Sequence, residues 1–270
     1  MEPLRRGGGD ARSEARGARP RRRGHPPLRD AGRLVGASLD AAARVSRRSK
    51  PHLRCPACRM HRSLCICALL PRLATRTRVV LVVHQLEANK PTNTGLLAAR
   101  CLANSTVVYR GRAPDGADGK APAAPAVSAV PGVQHLMLYP HSSATPLTAW
   151  RGRTEPIVLL VPDGTWRQAA RTRARLAPDP ATIPCVSLPA SSSGRRLRTA
   201  SAPQRMATLE AVARALGVLE GPEIESALLR VYRIMTERTL WTNGRVATAD
   251  VTGGIPAGVQ SHDPLATRSR

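Results

Sequence analysis

The chain has 270 residues, with 42 Lys and Arg against 18 Asp and Glu, for a formal charge of +24. That surplus favours a polyanionic partner, nucleic acid ahead of a membrane surface, and no apolar run approaches the ~18 residues of a membrane span. At 42% hydrophobic residues a core can form, but with no Phe and 2% aromatics it must be built mainly from Leu, Val, Ile and Ala.

Residues 1 to about 50 are mostly Arg, Gly, Ala and Pro without apolar periodicity, and they read as a disordered basic arm. The arm has no apolar h-region, so it does not read as a standard secretory signal, and five acidic residues before Cys55 count against a transit peptide. A cytoplasmic location is expected. Cys55-Pro-Ala-Cys58 and Cys65-Ile-Cys67 follow within residues 51–75. Two close cysteine pairs have the composition of a closed tetrahedral zinc site with a structural role. His52 and His61 are substitute ligands that a full cysteine set makes unnecessary.

Val79 to Val83 reads as a buried strand ending at His84. A polar loop from His84 to Gly95 contains Glu87, Asn93 and Thr94, and a helix is expected from Gly95 to Leu102. Helix N-termini offer free N–H groups to anions. Thr106 to Tyr109 and Val133 to Tyr139 are further strands, separated by a Gly/Ala/Pro insertion at 111–131. His141 to Thr145 forms another strand exit.

Ile157 to Val161, five consecutive apolar residues, reads as another strand buried on both faces. Asp163 and Gly164 follow it, and Thr165 with Gln168 forms a capping box that opens a helix. Asp163 therefore stands at a strand-to-helix exit, where open α/β sheets bind ligands. That helix should turn Trp166, Ala169, Ala170, Ala174 and Ala177 to one side, with Arg167, Arg171 and Arg175 as a basic stripe on another. After a strand at Cys185 to Leu188, Ser191 to Arg198 is a Gly/Ser loop with three arginines. Pro203 should open a helix carrying Met206, Leu209, Val212, Ala213 and Leu216 on one face. A last helix, Pro222 to Leu240, should bury Ile224, Leu228, Val231 and Met235, and the tail from 246 to 270 should be loose.

In this order the motifs resemble the DTW-domain family, tRNA-uridine aminocarboxypropyltransferases, from about Arg54 to Arg238. They are the two cysteine pairs, His84-x-x-Glu87, Asn93-Thr94-Gly95, Asp163-x-Thr165-Trp166, Arg198 and Thr208-Leu-Glu210-Ala211. Gln85 departs from the proline expected in the His-Pro-x-Glu form. The resemblance implies an α/β, SPOUT-like, mostly parallel sheet flanked by helices at 76–245, with a C-terminal knot, a small N-terminal four-cysteine segment, and S-adenosylmethionine as co-substrate. It implies transfer of the 3-amino-3-carboxypropyl group to uridine N3 in tRNA, by a monomer or homodimer. Asp163 would be the base and Trp166 would shape the pocket beside Thr165. His84, Glu87, Asn93, Thr94, Gly95, Arg198, Thr208 and Glu210 would bind substrates, with Arg198 on a carboxylate or phosphate and Glu87 or Glu210 on the ammonium. Two other readings remain at this level: a SPOUT-like RNA methyltransferase, and a zinc-stabilised RNA-binding module without catalysis.

Overall fold

Strands buried on both faces account for the architecture. The computed structural model describes residues 51–111, 132–177, 182–189 and 206–259; the basic arm, the Ala/Pro insertion and Arg198 lie outside the described residues. Six strands form one sheet: β1 (Arg78–His84), β2 (Ser105–Arg110), β3 (Gln134–Leu138), β4 (Thr145–Pro146), β5 (Ile157–Asp163) and β6 (Cys185–Ser187). Their order is β2-β1-β5-β3-β6-β4, and every pairing is parallel. Parallel sheets need both faces covered, hence the unbroken apolar runs of β1 and β5.

The two faces follow from the period-2 alternation of a strand. Val79, Leu81 and Val83 of β1 and Ile157, Leu159 and Val161 of β5 share the larger core with three helices. These are α2 (Gly95–Cys101), α4 (Thr208–Leu219) and α5 (Pro222–Thr242). Val80, Val82 and Leu160 point the other way, into a smaller core reached by Leu176 and Ala177 at the end of α3 (Trp166–Leu176). Asp163 continues the Ile157–Leu159–Val161 face, so its side chain is directed toward α2 and α4.

Several expectations change on folding. The 84–95 segment is not all loop: His84 caps a short helix, α1 (Gln85–Ala88), by accepting the Leu86 N–H on Nδ1 at 3.2 Å. Of the expected α3 side, Ala169 and Ala177 are buried but Trp166 and Ala174 are exposed, and Thr172 is buried as well, so the helix lies rotated on the sheet toward Thr172. Helix α4 begins at Thr208, with Ala207 extended as its N-cap, so Met206 precedes it; Pro203 lies outside the described residues. The loose tail expected from 246 does not describe residues 246–259. Val246 and Val251 are buried, and Trp241 Nε1 donates to Thr248 Oγ1 at 3.0 Å. That segment covers the C-terminal half of α5, where Tyr232, Ile234, Leu240 and Trp241 are buried in addition to the expected stripe, while Ile224 is only half-buried.

Candidate active site

The site grows from the strand exits of β1 and β5, which are neighbours in the sheet with Val83 opposite Asp163. Chain connections leave β1 toward β2 on one side, and β5 lies on the other. Such a switch point opens a crevice at the carboxyl ends of the strands.

Asp163 is 7% exposed, and both its oxygens are engaged. Asn93 Nδ2 donates to Oδ2 at 2.7 Å, and the Thr208 hydroxyl donates to Oδ1 at 2.5 Å. Asn93 Oδ1 accepts from Leu96 N–H at 3.1 Å, within the first turn of α2, and its Nδ2 also donates to the Glu87 carbonyl at 3.3 Å. The orientation of the amide is thereby decided by its neighbours. Thr94 Oγ1 accepts from Leu209 N–H at 3.2 Å, which ties α2 to the start of α4. Burial, opposed by these two hydrogen bonds and helped by Glu87, raises the Asp163 pKa above its ordinary 3.8.

Gly95 is required by this packing. A Cβ built there would lie 2.7 Å from Asp163 Oδ2. Gly95→Ala should therefore push the carboxylate off Asn93 and cost ~1–3 kcal/mol, as overpacking does. A thermal melt checks this, and an unchanged midpoint with unchanged turnover would show that the contact relaxes freely.

Beside this cluster lies a cavity of about 600 Å³, of a size that takes a nucleoside-sized ligand. Its walls come from the exits of β3, β5 and β6 and the start of α4, including Tyr139, Gly164, Trp166, Ser187 and Thr208. Trp166 is 39% exposed and stands tilted against Tyr139, ring centroids 6.2 Å apart. Thr165 is occupied in capping: its hydroxyl accepts from Gln168 N–H at 3.3 Å, and its N–H donates to Gln168 Oε1 at 2.7 Å. Of the two side chains that donate to Asp163, Asn93 and Thr208, Thr208 is the one that also lines the cavity.

His84 Nδ1 is used as an acceptor, which puts the proton of the neutral ring on Nε2. Burial, the largest effect, lowers its pKa; Glu87 opposes that, and Lys90 and Arg171 add to it. Glu87 is held by Lys90 at 2.5 Å. The structure thus brings together Asp163, Asn93, Thr94, Gly95 and Thr208, with His84 and Glu87 on the adjoining turn. Glu210 is not part of this group. It is 2% exposed, pairs with Arg214 at 3.2 Å, and lines a different cavity between α4 and α5. Tyr139 and Ser187 were not singled out from sequence, although their places at strand exits are the same signal that marked Asp163.

The four cysteines meet beside α5. Cys55 Sγ lies 3.7 Å from Cys67 Sγ, and Cys58 Sγ 3.7 Å from Cys65 Sγ, with all four sulfurs within 4.8 Å of one another. A metal held at ~2.3 Å by four sulfurs sets neighbouring sulfurs ~3.8 Å apart, so the set fits zinc. A disulfide would need ~2.05 Å.

A family model described as "DTW domain" matches residues 52–240. The chain is similar to a protein of Drosophila melanogaster named tRNA-uridine aminocarboxypropyltransferase 2, with 31% identity over 221 residues that cover 79% of this chain and 82% of the relative. No solved structure matches.

Proposed function

Because the chain belongs to the DTW-domain family, we propose that it is a tRNA-uridine aminocarboxypropyltransferase. The donor in this reading is S-adenosylmethionine, which supplies an electrophilic γ-carbon beside its sulfonium. Uridine N3 forms the new C–N bond, the C–S bond breaks, methylthioadenosine leaves, and the N3 proton goes to the protein. The cavity framed by the β3, β5 and β6 exits would take the donor. A SPOUT-like knot around those exits belongs to the same proposal.

One observation carries the reading: Thr208 touches both the cavity and Asp163. The uridine N3–H is a weak acid, so an acceptor must take its proton. Asp163 is turned from the cavity, and the Thr208 hydroxyl stands between them. We assign Thr208 as the relay, receiving the N3 proton while passing its own to Asp163 Oδ1. The raised pKa suits that task better than an exposed aspartate would. Asn93 holds Oδ2, so the carboxylate keeps its direction as the proton arrives. Trp166 and Tyr139 offer flat surfaces for a base. The cysteine segment would hold zinc through Cys55, Cys58, Cys65 and Cys67.

The RNA path follows the charge. Arg167, Arg171 and Arg175 are all partly or fully exposed along α3, which starts at the cavity mouth, and Arg171 is close enough to His84 to influence its titration. Phosphate contacts of this kind release counterions. Replacing all three with Gln should lower the slope of log affinity for tRNA against log salt by about 2, with donor binding unchanged. An unaltered slope would show that the stripe faces only solvent.

The activity itself is tested by nucleoside mass spectrometry of unmodified tRNA incubated with protein and S-adenosylmethionine. The expected product is a uridine carrying the whole aminocarboxypropyl group, with methylthioadenosine released. A methylated nucleoside with S-adenosylhomocysteine would replace this reading with methyl transfer.

A further inference from the structure

Glu210 shares its motif with Thr208, yet the proposed chemistry leaves Glu210 itself unused, and its surroundings are incomplete. It lies on the first turn of α4 and lines a second cavity of about 500 Å³ against α5. Its pairing with Arg214 is single-pronged: Arg214 Nη2 donates to Oε1 at 3.2 Å. Glu210 Oε2, Arg214 Nε and Thr236 Oγ1 are buried without a hydrogen-bond partner among the described residues. All three residues line this one cavity, and Glu210 and Thr236 are 2% and 1% exposed. Buried polar groups left this way are costly, so a site that satisfies them gains on binding.

The chemistry of the occupant follows from what is missing. Glu210 and Arg214 already cancel each other's charge, which favours a neutral ligand. The carboxylates of the cavity do not converge as metal ligands do; among the described residues only the four cysteines form such a group. What the pair lacks is a donor for Glu210 Oε2 beside an acceptor for Arg214 Nε. Tyr232 and Leu229 on the same wall suit a flat, partly apolar ring. A nucleobase edge has this pattern. Guanine matches it most fully, with N1–H and N2–H facing the carboxylate and O6 facing the guanidinium.

We propose that the cavity between α4 and α5 binds an unpaired guanine of the RNA substrate, read by Glu210 and Arg214 and steadied by Thr236. This rests on the reading that the substrate is RNA. Arg214, whose side chain is 22% exposed, is the outer member of the pair and turns to admit the ring. The cavity would then select the RNA at a distance from the reacting uridine.

The test titrates the full-length protein with GMP, IMP and AMP by calorimetry, and measures KM for tRNA and for S-adenosylmethionine. GMP should bind, IMP (which lacks the N2 amine) more weakly, and AMP least. Glu210→Gln should weaken GMP binding and raise KM for tRNA, each about 10-fold or more, with KM for S-adenosylmethionine unchanged. Thr236→Val should give a smaller effect of the same kind, and a thermal melt shows whether either variant has lost its fold. Equal binding of GMP and AMP, or no binding of either to wild type that modifies tRNA, overturns the inference. GMP binding with an unmoved KM for tRNA in a folded Glu210→Gln protein overturns the RNA assignment and leaves a free-nucleotide site. Wild-type protein that modifies no tRNA sinks the activity instead, and the GMP titration still reads the cavity on its own.

Discussion

Asp163→Asn is expected to lower turnover by ~10²- to 10⁴-fold, the contribution of a positioned proton acceptor. The substitution has a structural side effect that must be separated from the chemical one. The introduced amide can accept from Thr208 through its oxygen, but its NH2 group then faces Asn93 Nδ2, where a carboxylate oxygen stood 2.7 Å away. Two donors in contact, in a site that is 7% exposed, leave unsatisfied groups worth ~1–3 kcal/mol. Combining Asn93→Asp with Asp163→Asn removes that conflict. The carboxylate moved to position 93 still accepts from Leu96 N–H, and the amide moved to position 163 now donates to it, at the loss of the weaker bond to the Glu87 carbonyl. The double variant should regain much of the lost stability by thermal melt while turnover stays low. Recovery of turnover with the carboxylate at position 93 would end the assignment of Asp163 as the final proton acceptor.

The pH dependence has a definite direction. The acceptor must be ionised, so turnover should fall as pH drops through the folded pKa of Asp163, which lies above 3.8. Asp163→Asn should lose that limb. For stability the sense is opposite to that of a salt-bridged aspartate. A folded-state pKa above the unfolded one means that the folded protein holds the proton more tightly. This group therefore adds stability as pH falls through its folded pKa, and subtracts it at neutral pH.

Chelating a bound metal, or replacing Cys58 with Ser, should lower the melting temperature by ~6–12 °C. Metal binding of this kind is itself folding free energy, and loss of ~3 kcal/mol at ~2–4 °C per kcal/mol gives that shift. The reason it should be felt throughout the domain is that the cysteine segment is continuous with the main core. Cys58, Met60, Leu64 and Ile66 are buried in the same cluster as the faces of β1, α4 and α5. Arg238, 3% exposed on α5, fastens the segment to the helix. Its Nη1 donates to the carbonyls of Leu64 at 3.3 Å and Cys65 at 3.0 Å, while Nε and Nη2 donate to Gly254 and Gly253 at 3.1 and 3.3 Å. With a dication bound, four thiolates would leave two negative charges, which this buried guanidinium is placed to offset in part. One zinc per chain, and its loss with the melting shift, would be read by a metal assay alongside calorimetry. A metal-free protein with an unshifted melt would leave the cysteines as free thiols.

Much of this molecule could be read without its structure because the signals are local. The apolar runs of β1 and β5 identify strands covered on both sides, and Thr165 with Gln168 marks the start of α3 by a reciprocal hydrogen bond that needs only neighbouring residues. The four-residue spacing of Arg167, Arg171 and Arg175 implies a common helix face whatever lies beneath it. Four cysteines within thirteen residues leave little room for any arrangement but a cluster. By contrast, the rotation of α3 that exposes Trp166 and Ala174 depends on the sheet under it, and no periodicity in the helix records that. The packing of residues 246–259 likewise depends on contacts with α5 that their own composition does not reveal.

Sequence alone therefore carries every strand except the two-residue β4, the helix start after Asp163, the four-cysteine cluster and the family. The partners of the carboxylate come from folding instead: Asn93 is 70 residues away and Thr208 is 45 residues away, on separate elements. Folding also separated Glu210 from Asp163, although the motif that holds Glu210 also holds Thr208. On a helix, residues two apart point to nearly opposite sides. Thr208 therefore turns to the strand exits and Glu210 to α5, a division that a linear motif cannot express.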